Sequence, residues 1–413
     1  MTGHFPIVVV GAGPAGSSFA NAYLRGGGTG LALIDRHRFP RDKACGDGLT
    51  AGVHGVLERL GLTDVLAGRP RIKRMEMHFH NRVQVAVDTD NFARPSPLGW
   101  VIRRTEFDHA LATAALERGA ADLTGWGLDD AISQSDGWRL TLKNSDTGKT
   151  CSITCDILVG ADGARSRVRR VLGQPFNTDD NSAIALRAYV QAPKANKGLQ
   201  RLDIIKGMPL PGYAWLFSDG TGWANIGLGF SVTAWKRDRP KLPELLKTYR
   251  THLGDAVCGE PENLATGILP GGFRRMPLAY PRQRAALLGD AASMINPAAG
   301  EGIFFGMYAG LVLGEALAIR AGGTITTALA AYDRDMRRAF SRDFRDARIL
   351  MKLLFYDKAL EHAIRTFSAS PDLCYDFVEF FMGVMPPRQR KTLAGLVLGG
   401  LMRSVAHSIS SVR

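Results

Sequence analysis

The feature that most constrains this chain is Gly11-x-Gly13-x-x-Gly16, set between the apolar run IVVV (7–10) and the segment AGSSFANAYLR (15–25). An unbroken apolar run suits a strand buried on both faces of a parallel sheet. Residues 15–25 have helical spacing, and residues 31–34 repeat the strand pattern. Each glycine meets a different steric demand. Gly11 permits a sharp turn, Gly13 lets the backbone approach a ligand, and Gly16 lets helix and strand pack closely. Ala15 opens the helix, whose unpaired N–H groups and positive dipole end suit a pyrophosphate. Asp35 ends the second strand, 19 residues after Gly16, with Arg36 beside it. A carboxylate there can accept a ribose hydroxyl proton. Strand, turn, helix and strand together predict a doubly wound, Rossmann-like α/β fold that binds a dinucleotide.

Two further clusters have the same character. LVGADGARSRVRR (158–170) places Asp162 and Gly163 after an apolar strand. LLGDAASMINPAAGEGIFFGMYAG (287–310) places Gly289 and Asp290 at a strand end, and a Pro/Gly loop then leads through Gly300 and Gly302 to Ile303 and a helix. One Gly-Asp pair means only a turn. Three ordered clusters in one chain point to a shared ligand.

Between the clusters the pattern changes. MEMHFHNRVQVAVD (75–88) reads as a hairpin turning near Asn81, and residues 99–120 as a strand followed by a helix capped by Thr105. Residues 181–280 are β-rich and, with 76–98, predict an inserted antiparallel substrate sheet. The dinucleotide domain is then discontinuous, spanning 1–75, 99–180 and 281–330. Runs 303–321, 324–340 and 342–368 carry apolar residues at helical spacing, so 331–413 is expected to form a helical C-terminal region.

The sequence resembles the para-hydroxybenzoate-hydroxylase-like flavoproteins at GAGPAG, GADGARS and GDAA…NPAAGEG, over roughly residues 5–320. That resemblance implies FAD as the cofactor. It puts Asp162 near the pyrophosphate, Asp290 at ribitol or pyrophosphate, and Arg104 at the phosphate or adenosine end. It also directs the N–H groups of Gly300–Ile303 at the flavin ring. A helix start there stabilises the negative charge of the reduced ring by about 0.3–1 kcal/mol, and up to about 2 when partly buried.

Two stretches narrow the resemblance to the geranylgeranyl reductase family, whose members saturate isolated double bonds in isoprenoid chains. FPRDKACGDGL (39–49) matches that family's Cys-Gly-Asp stretch near the flavin at Cys45, Gly46 and Asp47. PGYAWLFSDGTGWANIGLG (211–229) matches its Tyr-x-Trp-x-Phe-Pro motif at Tyr213, Trp215 and Phe217, with Ser218 where proline is expected. The three aromatics alternate along a strand and so share a face. They would wall an apolar slot for a prenyl chain, at about 0.8 kcal/mol per CH₂ buried. The resemblance makes Cys45, Tyr213 and Trp215 the catalytic candidates and Tyr213, Trp215 and Phe217 the substrate contacts. For Cys45 three roles stay open: gating or donating near the flavin, packing against it, or covalent attack. The chemistry also stays open between reduction and a monooxygenase reaction, epoxidation or hydroxylation, on a terpenoid. A non-catalytic lipid carrier is a third reading. The electron donor is external, NAD(P)H or ferredoxin.

The totals exclude other classes. With 45% hydrophobic and 22% charged residues over 413, the chain has the composition of an ordered globular protein. The net charge of +13 suits anionic partners, yet no nucleic-acid motif accompanies it. Five widely spaced cysteines have no metal-ligand spacing, and they read as reduced thiols of a cytoplasmic protein. From residue 380 onward the basic residues Arg388, Arg390, Lys391, Arg403 and Arg413 flank an apolar run with no acidic residue. That tail suits peripheral contact with an anionic membrane at the inner face.

Overall fold

A computed structural model describes residues 3–79, 83–89, 98–195, 198–272, 276–318 and 324–353. Its frame is two large sheets and a small one. In the eight-stranded sheet five strands run parallel, in the order Ala285–Leu287, Thr150–Gly160, His4–Val10, Leu31–Asp35 and Ala121–Thr124. Ile7, Val8, Val9, Leu33 and Ile34 are wholly buried there, as a sheet covered on both faces requires. The first half of Thr150–Gly160 also carries an antiparallel meander with Trp138–Asn144 and Trp126–Ser133.

The seven-stranded sheet runs Cys258–Pro270, Ser182–Gln191, Trp223–Ser231, Gly212–Ser218, Leu199–Ile204, Arg74–Phe79 and Val83–Asp88. Its pairs are antiparallel except that Leu199–Ile204 lies parallel to Arg74–Phe79. The expected hairpin is present, though its turn lies outside the described residues. Along Gly212–Ser218 the two-residue period separates two cores. Ala214 and Leu216 pack on the back with Leu246, Tyr249 and Leu253 of helix Leu242–Leu253. Tyr213, Trp215 and Phe217 face forward. The β-rich expectation for this stretch did not place that helix. The third sheet joins Gly48–Thr50, Gly99–Val101 and Arg71–Ile72.

Glycines spaced by four fix the central helix pair. A Cβ on Gly306 would stand 3.2 Å from Ala15 Cβ, one on Gly310 2.3 Å from the Ala15 carbonyl oxygen, and one on Gly314 2.7 Å from Ala22 Cβ. Helix Ile303–Ala318 therefore lies backbone to backbone against helix Pro14–Arg25. The contacts advance in the same sense along both helices, so their N-termini open at the same end.

Two local expectations are corrected. Helix Arg104–Glu117 starts one residue before Thr105, with Arg103 at its N-cap and no side-chain cap, because the Arg103 carbonyl already accepts from Glu106 and Phe107. The expected break near residue 341 is absent, and Ile325–Leu353 is one helix. Neither glycine nor proline interrupts it, and Leu329, Tyr332, Met336, Phe340, Phe344 and Ala347 continue one buried stripe. Of the proposed C-terminal region only the part before residue 354 is described, and the basic tail falls outside it. Among the described residues no helix is long and apolar enough to cross a membrane.

Candidate active site

The three glycine clusters, the 45–50 loop and the aromatic strand meet around one cavity of about 1360 Å³. That exceeds the roughly 300–1,000 Å³ of a single small-molecule pocket and leaves room for a cofactor and a substrate together. Gly11, Gly13, Ala15, Asp35, Arg36, Cys45, Gly46, Arg104, Asp162, Gly163, Gly289, Asp290, Gly300, Gly302, Ile303, Tyr213, Trp215 and Phe217 all line it. Gly16 and Asp47 do not.

At one end the wall is backbone and charge. Gly11 has φ +108, and a Cβ there would lie 2.2 Å from the Ala161 carbonyl oxygen. A Cβ on Gly16 would lie 1.9 Å from the Gly11 oxygen, so Gly16 packs the helix rather than touching a ligand. Pro14 starts the helix with no side-chain cap and no acidic residue in the first turn. Its first N–H groups, those of Ala15 and Gly16, precede any intrahelical acceptor. Asp35 accepts from Ala12 N at 3.0 Å and His37 N at 2.9 Å, which fixes its carboxylate at the cavity edge. Arg36, Arg41, Lys43 and Arg165 line the same cavity. An open, uncapped helix start with arginines around it fits the phosphates of FAD.

Asp162 lines the cavity, while its carboxylate accepts from the Ser166 hydroxyl and from Arg167 N at 2.6 Å and so turns into the following helix. Arg104, on the wall, grips Asp108 through two bonds of 2.6 Å and also reaches Cys45. Asp290 pairs with Lys43 at 3.3 Å.

Helix Ile303–Ala318 brings the second N-terminus to the cavity. Glu301 reaches over this helix start. Its carboxylate accepts from Phe304 N at 2.7 Å, with Ile303 N beside it, while Gly300 N donates to the Asn296 carbonyl. Burial is the main influence on it and pushes its pKa up to about 7, with the two N–H bonds opposing. The sequence reading missed Glu301. The available signal was an acid between two glycines directly before an apolar helix, where a carboxylate is favoured. Gly300, with φ +65, leaves room for Tyr213, whose hydroxyl would stand 3.0 Å from a Cβ there. That hydroxyl donates to the Ala299 carbonyl at 2.7 Å.

The aromatic face runs from the helix start to the 45–50 loop. Tyr213 and Trp215 meet edge-on with centroids 6.2 Å apart, and Trp215 and Phe217 are tilted at the same separation. Cβ atoms on Gly46 and Gly48 would come within 3.1 and 3.2 Å of the Phe217 ring. Gly227, on the neighbouring strand, makes space for the indole, since its Cβ would fall 2.3 Å from Trp215 Cζ2. Ser218, buried on the opposite face, does not line the slot, so the departure from proline leaves the aromatic wall intact.

Asp47 stands behind the wall. Its φ is +63, a left-handed conformation that aspartate tolerates better than bulkier residues. Its Oδ2 accepts from the Tyr189 hydroxyl at 2.6 Å and from Asn225 Nδ2 at 2.9 Å. Asn225 also donates to the Cys45 carbonyl at 2.8 Å and accepts from Trp215 Nε1 at 2.9 Å. One amide thus ties Asp47, the Cys45 backbone and the indole together. Burial raises the Asp47 pKa to about 6, against the two hydrogen bonds. Its carboxylate is thus held behind the wall, and Asp47 does not line the cavity. Burial also pushes the Cys45 thiol up, with the Arg104 charge opposing. A raised thiol pKa disfavours the thiolate that covalent attack would need.

A family described as an FAD binding domain matches residues 4–206. The chain is 34% identical over 364 residues to menaquinone reductase of Mycolicibacterium smegmatis, covering 86% of each sequence. It is 26% identical to digeranylgeranylglycerophospholipid reductase 1 of Methanothermobacter thermautotrophicus, covering 79% of this chain and 81% of that one. A crystal structure of a geranylgeranyl bacteriochlorophyll reductase-like protein from Thermoplasma acidophilum superimposes with a TM-score of 0.80 at 21% identity, covering 90% of this chain and 93% of that one.

Proposed function

Because the chain belongs to the geranylgeranyl reductase family of FAD-dependent oxidoreductases, we propose that it saturates carbon–carbon double bonds in the prenyl chain of a lipid or quinone. The observation that carries this reading is the apolar arm of the cavity. Tyr213, Trp215 and Phe217 form one side of it, and Met75, Leu202, Ile204 and Met351 line it further. Each five-carbon unit drawn into such an arm from water gains about 4 kcal/mol at 0.8 kcal/mol per carbon. No specific polar contact is then required for the chain itself. The two relatives whose substrates are named support the same class, since menaquinone and a digeranylgeranyl lipid both carry prenyl chains.

FAD, when bound, supplies the hydride chemistry, recharged by an external two-electron donor such as a nicotinamide or by ferredoxin. The glycine cradle at the first helix, with Asp35 and the arginines, would hold it. The protein's share of the reaction is geometric and electrostatic. The aromatic wall orients the alkene and excludes water. If positive charge develops on the substituted carbon, the ring faces stabilise it by about 0.5–2 kcal/mol. The Asp47–Asn225–Trp215 bonds keep the wall and the 45–50 loop in register.

The test is product mass. FAD-loaded protein, dithionite and a prenylated quinone under anaerobic conditions are expected to give a gain of two mass units for each bond reduced. A gain of sixteen that requires O₂ would make the protein an oxygenase. No gain in either atmosphere would leave lipid carriage and overturn the reductase reading.

A further inference from the structure

We infer that Glu301 is the acid that protonates the alkene carbon opposite the one that receives hydride, an inference that rests on the reductase reading above. The reaction needs a proton source inside an apolar cavity, and the described residues on its wall offer few. The Tyr213 proton is committed to the Ala299 carbonyl at 2.7 Å, and burial drives its pKa far up. Cys45 is a thiol whose pKa burial raises. Asp162 has its carboxylate turned into a helix cap, and Asp290 is paired with Lys43. His78 lines the cavity, but its ring nitrogens face Glu76 at 3.2 Å and Asp203 at 3.8 Å. Asp47 lies behind the wall.

Glu301 differs from all of these. It lines the cavity at the foot of the aromatic wall, one residue from Gly300, which abuts the Tyr213 hydroxyl. Its Oε1 accepts from Phe304 N, which fixes the side chain without consuming an acid proton. Its pKa of about 7 leaves it divided between acid and base near neutrality, where general acid catalysis is most efficient. The groups around it are the Tyr213 hydroxyl from the aromatic strand and the Ile303 and Phe304 N–H groups of its own helix. Cys45 faces Tyr213 from the 45–50 loop, and Asp290 with Lys43 stands beside Gly302. None is an unpaired cation that would hold Glu301 ionised.

The step balances. The π bond breaks, hydride from the reduced cofactor makes one C–H bond, and the Glu301 proton makes the other. The cofactor is oxidised by two electrons and the alkene is reduced by two. Glu301 is left as a carboxylate and recovers a proton from solvent, while the external donor restores the cofactor. Negative charge on the reduced cofactor near this helix start raises the proton affinity of Glu301, and departure of hydride lowers it. A Glu301 kept protonated in this way can deliver its proton as positive charge develops on the substituted carbon.

Glu301→Gln separates this role from a structural one, because the amide oxygen can still accept from Ile303 and Phe304. Wild type and variant are loaded with FAD, reduced by dithionite and given a prenylated quinone across a pH series. The wild-type rate is expected to fall above pH 7, and the variant to lose about 10²–10⁴-fold in rate together with that limb. Independently of turnover, the visible spectrum of the bound oxidised flavin is expected to titrate with a midpoint near 7 in wild type and not in the variant. Glu301→Asp, which keeps the acid, retains the pH limb at a lower rate. A Gln variant that matches wild type in rate and pH profile overturns the inference and leaves the reductase reading standing. A wild-type protein that gives no reduced product overturns both.

Discussion

Two helices open their N-termini onto the same cavity, and they differ in what holds their first N–H groups. Helix Pro14–Arg25 has glycine at its cap and no acid in its first turn. Helix Ile303–Ala318 has the Glu301 carboxylate bonded to the N–H of Phe304 in its first turn. An empty cradle suits a ligand of fixed charge, such as a pyrophosphate. A cradle closed by an acid that titrates near neutrality can answer a ligand whose charge changes. The glycine contacts between the two helices are what allow both devices to face one space.

The largest effect is expected from breaking that adjacency. Gly310→Leu would drive a side chain into the Ala15 carbonyl, 2.3 Å from the first added carbon. Backbone cannot yield as a side chain does, so the cost should reach or exceed the roughly 3 kcal/mol top of the usual overpacking range. Denaturant unfolding would show it, and an unchanged midpoint would mean that the helices do not need to touch. Gly11→Val comes next, because it strikes the open cradle itself. Both φ +108 and the 2.2 Å approach to Ala161 oppose the side chain, so stability should fall here as well. The protein that folds should lack yellow colour, and FAD titration should show at least about a 100-fold loss of affinity, some 2.7 kcal/mol. Retained colour would move the phosphate site elsewhere.

The pH dependence of stability sharpens the contrast, since the closed cradle carries an acid whose pKa folding raises. Glu301 goes from 4.5 to about 7 and Asp47 from 3.8 to about 6 on folding. Both folded values are raised, so the native state binds the extra protons between each pair of values. The stability these two groups contribute is therefore fully present below about pH 4 and falls as pH rises to about 7, by on the order of 3 kcal/mol for Glu301. Urea unfolding of the apoprotein over this range should show the fall, and Glu301→Gln should retain only the part below about pH 6 that belongs to Asp47. The same slope in both proteins would remove Glu301 from the account. The smallest effect belongs to Lys43→Ala, which removes a partly exposed partner of Asp290. Its stability cost should stay within about 1 kcal/mol and shrink in salt, as for other exposed pairs. A larger loss in FAD affinity than in stability would place Lys43 on the ligand.

The glycine clusters were legible because their chemistry is local. Gly11 and Gly16 have the backbone roles their spacing implies, and Tyr213, Trp215 and Phe217 share the face that strand alternation assigns. Asp47 and Asp162 were harder. A Gly-Asp-Gly or Ala-Asp-Gly string places an acid in a turn but does not say whether its carboxylate faces the ligand or the wall behind it. The partners that decide this, Tyr189 and Asn225 for Asp47, are far away in the chain. Helix Leu242–Leu253 was missed because its apolar residues answer to the back of a sheet that only the pairing of distant strands creates.

By itself the sequence determined the dinucleotide-type turn, the apolar parallel strands, the three glycine clusters and the shared aromatic face. Each follows from steric limits and periodicities that act within a few residues. The tertiary structure alone decided that these points enclose one cavity, that Glu301 occupies a helix start expected to be free, and that Asn225 binds the indole to the 45–50 loop. Those outcomes depend on burial and on contacts between distant segments. Burial decides how strongly a carboxyl holds its proton, and distant contacts decide which way it points.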